Sequence, residues 1–525
     1  MAIMAVWLMP TLALAEPRLE GSFGSHMVLQ REKPIKLKGS AKAGEEITVE
    51  FAGQKKSAKA DGKGRWTITL DPLKASKKPQ TMVIKEAAGK PIELEDVLVG
   101  DVWFGSGQSN MAFSVDHCDN DVKDPQRRDK ALAEIAAGSH PLVRLYRGGA
   151  KWVTTGPEVN RQFSGLMLAF GVALQRELDV PVGLSVLAKS ANPSKSFLSQ
   201  QQFEADPECR TATERARNSP DAATAKAQRD RLLADWKQAA QKAKDAGQAE
   251  PPMPKLPSVP GEVDAPGLFG GSAIGHLQGL PIRGVLWDQG ESGSGLTWVD
   301  QYTMMGALIR GWRQELGQGE FPFLYIQKPS GGGCAWDPSD PVTRYADAFA
   351  PLPKVVPDKA VGGFGMQREE YLRLRQYPNT FLVTSSDLGG GTHPICKSGY
   401  GARAARVALG AAYGRKVEIY GPVYESHKVE GSKVRVKFTH VGQGLAFKHG
   451  DRLQGFALAG ADKQFHWADA VIDGDTVVVS SLKAPAPVTV RYAWAGSPAW
   501  ANLFNKDGLP ALSFRTDNWV SKKTE

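Results

Sequence analysis

Cysteine is scarce in this chain. There are four in 525 residues, Cys118, Cys209, Cys334 and Cys396, and no two form a C-x-x-C pair. The spacing therefore carries no zinc or redox signature, and no metal site is expected. An even number permits disulfides in an exported protein, and free buried thiols are the equal alternative. An excess of one charge is also missing, since 65 basic residues face 56 acidic ones for a net +9. Lysines scatter from Lys33 to Lys90 without an aromatic-interleaved basic stripe, so no nucleic-acid partner is expected. A mildly basic surface still favours acidic glycans by steering. Long apolar runs are absent beyond the first fifteen residues, which predicts no membrane span. Residues 1–15 are the exception. They end in Ala13-Leu14-Ala15 before Glu16-Pro17, the apolar core and small-residue end of a secretory signal that lacks a basic start. They predict a cleaved signal and export to the periplasm or the extracellular space.

What is present centres on Val97 to Met111, V-L-V-G-D-V-W-F-G-S-G-Q-S-N-M. Val97 to Phe104 is apolar and rich in β-branched residues, which predicts a buried strand. Gly105, Ser106 and Gly107 then predict a tight turn. Ser109 follows where a strand ends and a helix can begin. A hydroxyl there projects from the end of a sheet. The amides at the helix start carry partial positive charge, which favours a developing oxyanion.

The length predicts two or three domains. Residues 1–15 are the signal and 16–95 an N-terminal β domain. In the latter, Ile47–Phe51 and Trp66–Leu70 alternate, and Asp61-Gly62-Lys63-Gly64 predicts a hairpin turn. Residues 96–415 alternate helix and strand, which predicts a parallel sheet with helices on both faces. The expected elements are a helix over Phe163–Leu178 and a strand over Val180–Leu187, then a strand over Ile282–Trp287 and a helix over Asp300–Leu316. A strand over Phe321–Gln327, a strand over Thr380–Ser385 and a helix over Ser398–Tyr413 complete the set. Residues 200–260 read as a helical insertion, started by Ser219-Pro220 and closed by the proline-rich Pro251–Pro254. Residues 416–525 return to a β pattern, with a hairpin at Asp473-Gly474.

Several blocks together resemble one family. G-Q-S-N-M after a strand, Ser25–Arg31 ("SHMVLQR"), Trp287-Asp288-Gln289-Gly290-Glu291 and the H-P-x-x-K-x-x-Y-G-x-R-x-A block from His393 are similar to sialate O-acetylesterases, carbohydrate acetylesterases of the SGNH hydrolase type. The C-terminal Arg491–Ala511 segment is similar too, so the likeness covers nearly the whole chain. It implies an α/β fold, a flavodoxin-like SGNH three-layer domain flanked by N- and C-terminal β domains. It further implies a serine esterase that removes O-acetyl groups from glycans or polysaccharides through an acyl-serine intermediate, with no cofactor. Acyl transfer needs a nucleophile, a base and oxyanion donors. The resemblance assigns these to Ser109, to His393, and to Gln289 of the Q-G-E block, with Glu291 ordering the loop.

Two departures stand out. The family's S-W-G-G-T block is Lys189-Ser190-Ala191-Asn192-Pro193 here, so the double glycine is gone and Asn192 becomes the compensating amide donor. The aspartate expected two or three residues before the histidine is replaced by Gly391 and Gly390, and the nearest upstream carboxylate is Asp387. Either Asp387 reaches back to orient His393, or the site is a Ser–His dyad. A related esterase for another acyl group and a catalytically decayed glycan-binding protein are the alternatives.

Overall fold

A computed structural model describes residues 18–86, 90–147, 149, 151–262, 271–357 and 364–519. The expected signal, residues 1–15, lies outside the described residues. Everything else is arranged around one strand, β1 (Ile92–Gly107), buried without interruption from Val97 onward. Its side chains alternate between two cores: Val102 and Phe104 enter one, Trp103 the other. Asp101, in the middle of this run, is fully buried, yet it accepts from Arg31 at 2.9 Å, Arg283 at 3.0 Å and Gln30 at 2.9 Å. Two guanidiniums offset the desolvation of one carboxylate, so the charge does not break the strand.

The first half of β1 pairs with Ser76–Glu86 and Val28–Gln30, and the second half with catalytic-region strands. Position 95/96, the expected domain boundary, therefore falls inside a single strand of an 11-stranded sheet. The parallel part contains β2 (Val143–Arg147), β3 (Val182–Ala188), β4 (Gly284–Asp288), β5 (Phe323–Ile326) and β6 (Thr380–Val383). Their order is β2-β3-β1-β4-β5-β6, with Trp152–Thr154 added antiparallel at the β2 edge.

Helices cover both faces. α1 (Val115–Asp121) is a short helix just after the Gly105–Ser109 turn. α2 (Gly165–Leu178) and α4 (Lys397–Tyr413) join Trp103, Leu184, Leu286 and Leu324 in one core. α3 (Gln301–Leu316) packs Met304, Leu308 and Trp312 against Phe104, Val285, Trp287 and Phe323 in the other. The ends of α3 follow from its sequence. Asp300 accepts from the Thr303 amide at 2.7 Å, and Gly317 closes the helix at φ 61°.

The flanking regions are β-rich as the alternation predicts, with one difference. Gln54–Lys59 pairs with Glu46–Phe51, whereas Arg65–Leu70 pairs with Ile35–Ser40 in a separate sheet. Asp61–Gly64 is thus a corner between sheets and not a hairpin; the Asp61 carboxylate holds it by accepting from the Lys63 and Arg65 amides. The Asp473-Gly474 turn does join paired strands, Asp469–Asp473 and Thr476–Ser480. The insertion contains helices Gln200–Ala205, Pro207–Arg217 and Pro220–Asp245, and Trp236 donates to the Pro251 carbonyl at 2.9 Å. All four cysteines are unpaired thiols. Among the described residues no helix is long and apolar enough to cross a membrane.

Parallel pairing brings the carboxyl ends of β1, β3 and β4 together. Gly107 lies opposite both Ala188 and Asp288. Its φ is +134°, and a β-carbon there would lie 2.2 Å from the Asp288 carbonyl oxygen. Gly107→Ala is therefore expected to lower stability by about 3 kcal/mol, the sum of backbone strain and a collision with main chain, read as a fall in the urea midpoint.

Candidate active site

Ser109 opens a one-turn helix, Ser109–Ala112, directly beyond the end of β1, and only 5% of it is exposed. Its amide and that of Asn110 lie in the first turn, where no intrahelical acceptor exists. His393 is on the loop between β6 and α4. Its Nε2 is 3.0 Å from Ser109 Oγ, across 284 positions of sequence. The parallel sheet makes this possible, because loops after successive strands gather at one edge. The Nδ1 of His393 faces Asp121 Oδ2 at 3.4 Å. A ring proton on Nδ1, the side that faces this carboxylate, would leave Nε2 to accept from the serine hydroxyl.

The other expected residues lie elsewhere. Asp387 does not reach back to His393. It is fully buried and accepts a two-pronged pair from Arg403, at 3.0 and 2.7 Å. A guanidinium matches both carboxylate oxygens, and that match holds Asp387 away from the imidazole. Gln289 is also fully buried. Its amide nitrogen donates to the Gly293 carbonyl at 3.1 Å and to the Asn192 carbonyl at 3.4 Å, and its oxygen accepts from Ser194 at 2.6 Å. In this arrangement Gln289 ties two loops together and does not point a donor at Ser109. The Asn192 side chain folds onto its own loop, donating to the Ser190 carbonyl at 2.7 Å. Ala191, where the related block has glycine, keeps a left-handed backbone at φ +58°.

A charged cluster next to the Ser109 turn is built on Lys328, which the sequence reading did not single out. Lys328, 1% exposed, puts its ammonium 2.7 Å from Asp288 Oδ1 and 2.7 Å from Glu291 Oε1. Glu291 in turn accepts from Gln108 at 2.5 Å and from Asn110 at 3.3 Å, the two residues that flank Ser109. Asn110 also donates to the Thr392 carbonyl at 2.9 Å and accepts from Lys397 at 2.6 Å, so the Ser109 turn is fastened to the residue before His393. Burial pushes the Glu291 carboxyl up, but the Lys328 ammonium outweighs it and holds the group below its ordinary value. Burial likewise disfavours the Lys328 cation, and its two carboxylates more than reverse that, raising its pKa. For Lys397 burial prevails and lowers the pKa. The signal for Lys397 was in the sequence, as the lysine of the H-P-x-x-K block; Asp121 and Lys328 carried none. Among the described residues no group of His, Cys, Asp and Glu is arranged to hold a metal ion.

No family model matches the sequence. Whole-chain comparison is more informative. The sialate O-acetylesterase of Rattus norvegicus is 26% identical over 529 residues, covering 92% of this chain and 90% of that protein. That of Homo sapiens is 24% identical over 477 residues, covering 82% and 77%. This chain is a homologue of the sialate O-acetylesterases. A crystal structure of a carbohydrate acetylesterase from Xanthomonas citri matches it with a TM-score of 0.70 at 26% identity, covering 96% of this chain and all of that one. The sequence likeness is thus to sialate O-acetylesterases, and the likeness in three-dimensional arrangement is to a carbohydrate acetylesterase.

Two outcomes follow from the buried charges. Lys328→Met would leave the buried Asp288 carboxylate without its close ammonium and take the same partner from Glu291, and is expected to destabilise the protein by about 3 kcal/mol, measured by urea unfolding. Asp387→Asn is expected to lose about 3 kcal/mol for the same reason, through Arg403. The folded Asp387→Asn protein should nevertheless react with a fluorophosphonate at Ser109 within a few-fold of the wild-type rate.

Proposed function

We propose that the protein is a carbohydrate O-acetylesterase that works through an acyl-Ser109 intermediate. The observation that carries this reading is the 3.0 Å approach of His393 Nε2 to Ser109 Oγ at the carboxyl edge of the sheet. In the forward step Ser109 Oγ attacks the acetyl carbonyl carbon as its proton passes to His393 Nε2. The carbonyl oxygen becomes an oxyanion, which the Ser109 and Asn110 amides stabilise at the helix start. Collapse of this intermediate breaks the ester bond, and His393 returns the proton to the departing sugar hydroxyl. Water then repeats the sequence on the acetyl-serine. His393 takes a proton from the water, acetate leaves, and Ser109 is regenerated.

The fold reading behind this is a flavodoxin-like SGNH domain of three layers. The strand order β3-β1-β4-β5-β6, with α2 and α4 on one face and α3 on the other, supports it. The substrate class comes from the relatives: sialate O-acetylesterases in sequence, and a carbohydrate acetylesterase in structure. The catalytically decayed, glycan-binding alternative fits less well, since it gives no reason for a nucleophile–base contact to persist above so much buried charge.

The test is acetate release from a panel of O-acetylated glycans. Ser109→Ala is expected to abolish release while its melting temperature stays near wild type, and a fluorophosphonate should add its mass to the Ser109 peptide. Full activity in Ser109→Ala, or labelling of another serine, would sink the mechanism. Release of longer acyl groups in preference to acetate would favour the related esterase instead.

A further inference from the structure

His393 lies at the end of a loop that does little to fix a ring. Gly389 and Gly391 both take positive φ, and a β-carbon at Gly391 would touch nothing within 4 Å. The carboxylate upstream in the same loop, Asp387, is fully engaged by Arg403. With that carboxylate engaged, the ring of His393 is left to a partner from outside its own loop.

The outside element is α1. Phe113, the residue after the nucleophile turn, lies with its ring between His117, at 3.6 Å centroid to centroid, and His393, at 4.6 Å. At the other end of α1, Asp121 brings Oδ2 to 3.4 Å from His393 Nδ1. α1 is itself well anchored. Ser114 caps it, accepting from the His117 amide at 3.2 Å, and the Val115 amide donates to the Phe163 carbonyl at 3.0 Å. Arg161 pairs with Asp116 at 2.6 Å and with Asp119 at 3.2 Å. Those two carboxylates are thus committed away from the imidazole. His117 stands behind Phe113, and Lys397 stands behind Asn110. Asp121 is the carboxylate left facing the ring. It also occupies the last turn of a helix, where the backbone dipole disfavours a negative charge, so helix stability gives no reason for it.

We propose that Asp121 of α1 is the positioning residue for His393, taking over the task that an aspartate within the histidine loop would otherwise perform. It holds the Nδ1–H tautomer and steadies the imidazolium that forms when Ser109 loses its proton. This rests on the Ser109–His393 reading of the reaction. The pair differs physically from a buried one. Asp121 is 46% and His393 32% exposed, so water and salt screen their attraction. Loss of a buried orienting aspartate in a serine protease costs roughly 10⁴-fold; a screened one is worth far less.

The experiment replaces Asp121 with Asn. Turnover on an acetylated glycan is expected to fall about tenfold in kcat, with KM within about twofold of wild type. In parallel, the ligand-free protein with ¹⁵N-labelled histidine should show a downfield Nδ1 proton, assigned by its absence from His393→Gln. That resonance should vanish in Asp121→Asn. Asp124→Asn, a nearby carboxylate that caps the following turn, should change neither readout. An Asp121→Asn protein that keeps wild-type kcat, keeps the resonance, or loses activity through KM alone overturns the proposal. Should that variant fail to fold, Asp121→Ser takes its place in both measurements. Ser109→Ala in the same assay separates the two levels. If it stays active the acyl-serine mechanism fails, while the resonance still decides whether Asp121 holds His393.

Discussion

One buried ammonium, that of Lys328, is the interaction on which the site depends. Desolvating an ion costs several kcal/mol, so a buried lysine persists only with close opposite charge. Lys328 has two such partners at 2.7 Å, Asp288 and Glu291. Glu291 then spends its remaining acceptor capacity on Gln108 and Asn110. The nucleophile turn is thereby tied to the ends of β4 and β5 by charge-assisted bonds, which are shorter and stronger than neutral ones. Ser109 needs no contact of its own with the cluster. Both of its neighbours are held, and its hydroxyl lies 3.0 Å from His393 Nε2.

The histidine loop is organised by an opposite device. Gly391 leaves open space before the histidine, and the loop's buried aspartate is turned inward onto Arg403. Position is imposed on it from other elements: Asn110 grips the Thr392 carbonyl, Tyr400 donates to the Gly389 carbonyl at 2.9 Å, and α1 faces the ring. Ser109 and His393 meet at 3.0 Å, and their immediate neighbours Asn110 and Thr392 are bonded across the same gap. Buried charge also recurs away from the site, in Asp101 with Arg31 and Arg283 in the middle of β1. The same strand thus carries one ion-pair cluster among its apolar side chains and ends beside another.

Much of this was legible in the sequence. Val97–Phe104 read as a buried strand and lies within β1; Asp300 and Gly317 read as helix ends and are the caps of α3; Ser219-Pro220 starts the long insertion helix. Such features are local: a period of two or of 3.6, a capping side chain, a glycine at positive φ. Ser109 and His393 were legible because each sits in a strand–loop–helix context that a parallel sheet brings to one edge. The corner at Asp61–Gly64 misled for the same local reason. Its turn chemistry is that of a hairpin, but which strands pair across it depends on cores formed elsewhere.

The sequence by itself determined the alternation of elements and the ends of the helices, because short-range sterics and hydrogen bonding decide those. Only the tertiary structure decided the partners of the charges. Asp387 was the nearest carboxylate to His393 in sequence and went to Arg403, while Asp121, from a helix on the far side of the domain's sequence, came to face the ring. Gln289 carried the right amide and was absorbed into loop-to-loop bonds. A buried charge or amide takes whichever partner the packing of distant elements places within about 3 Å, and sequence spacing holds no record of that distance.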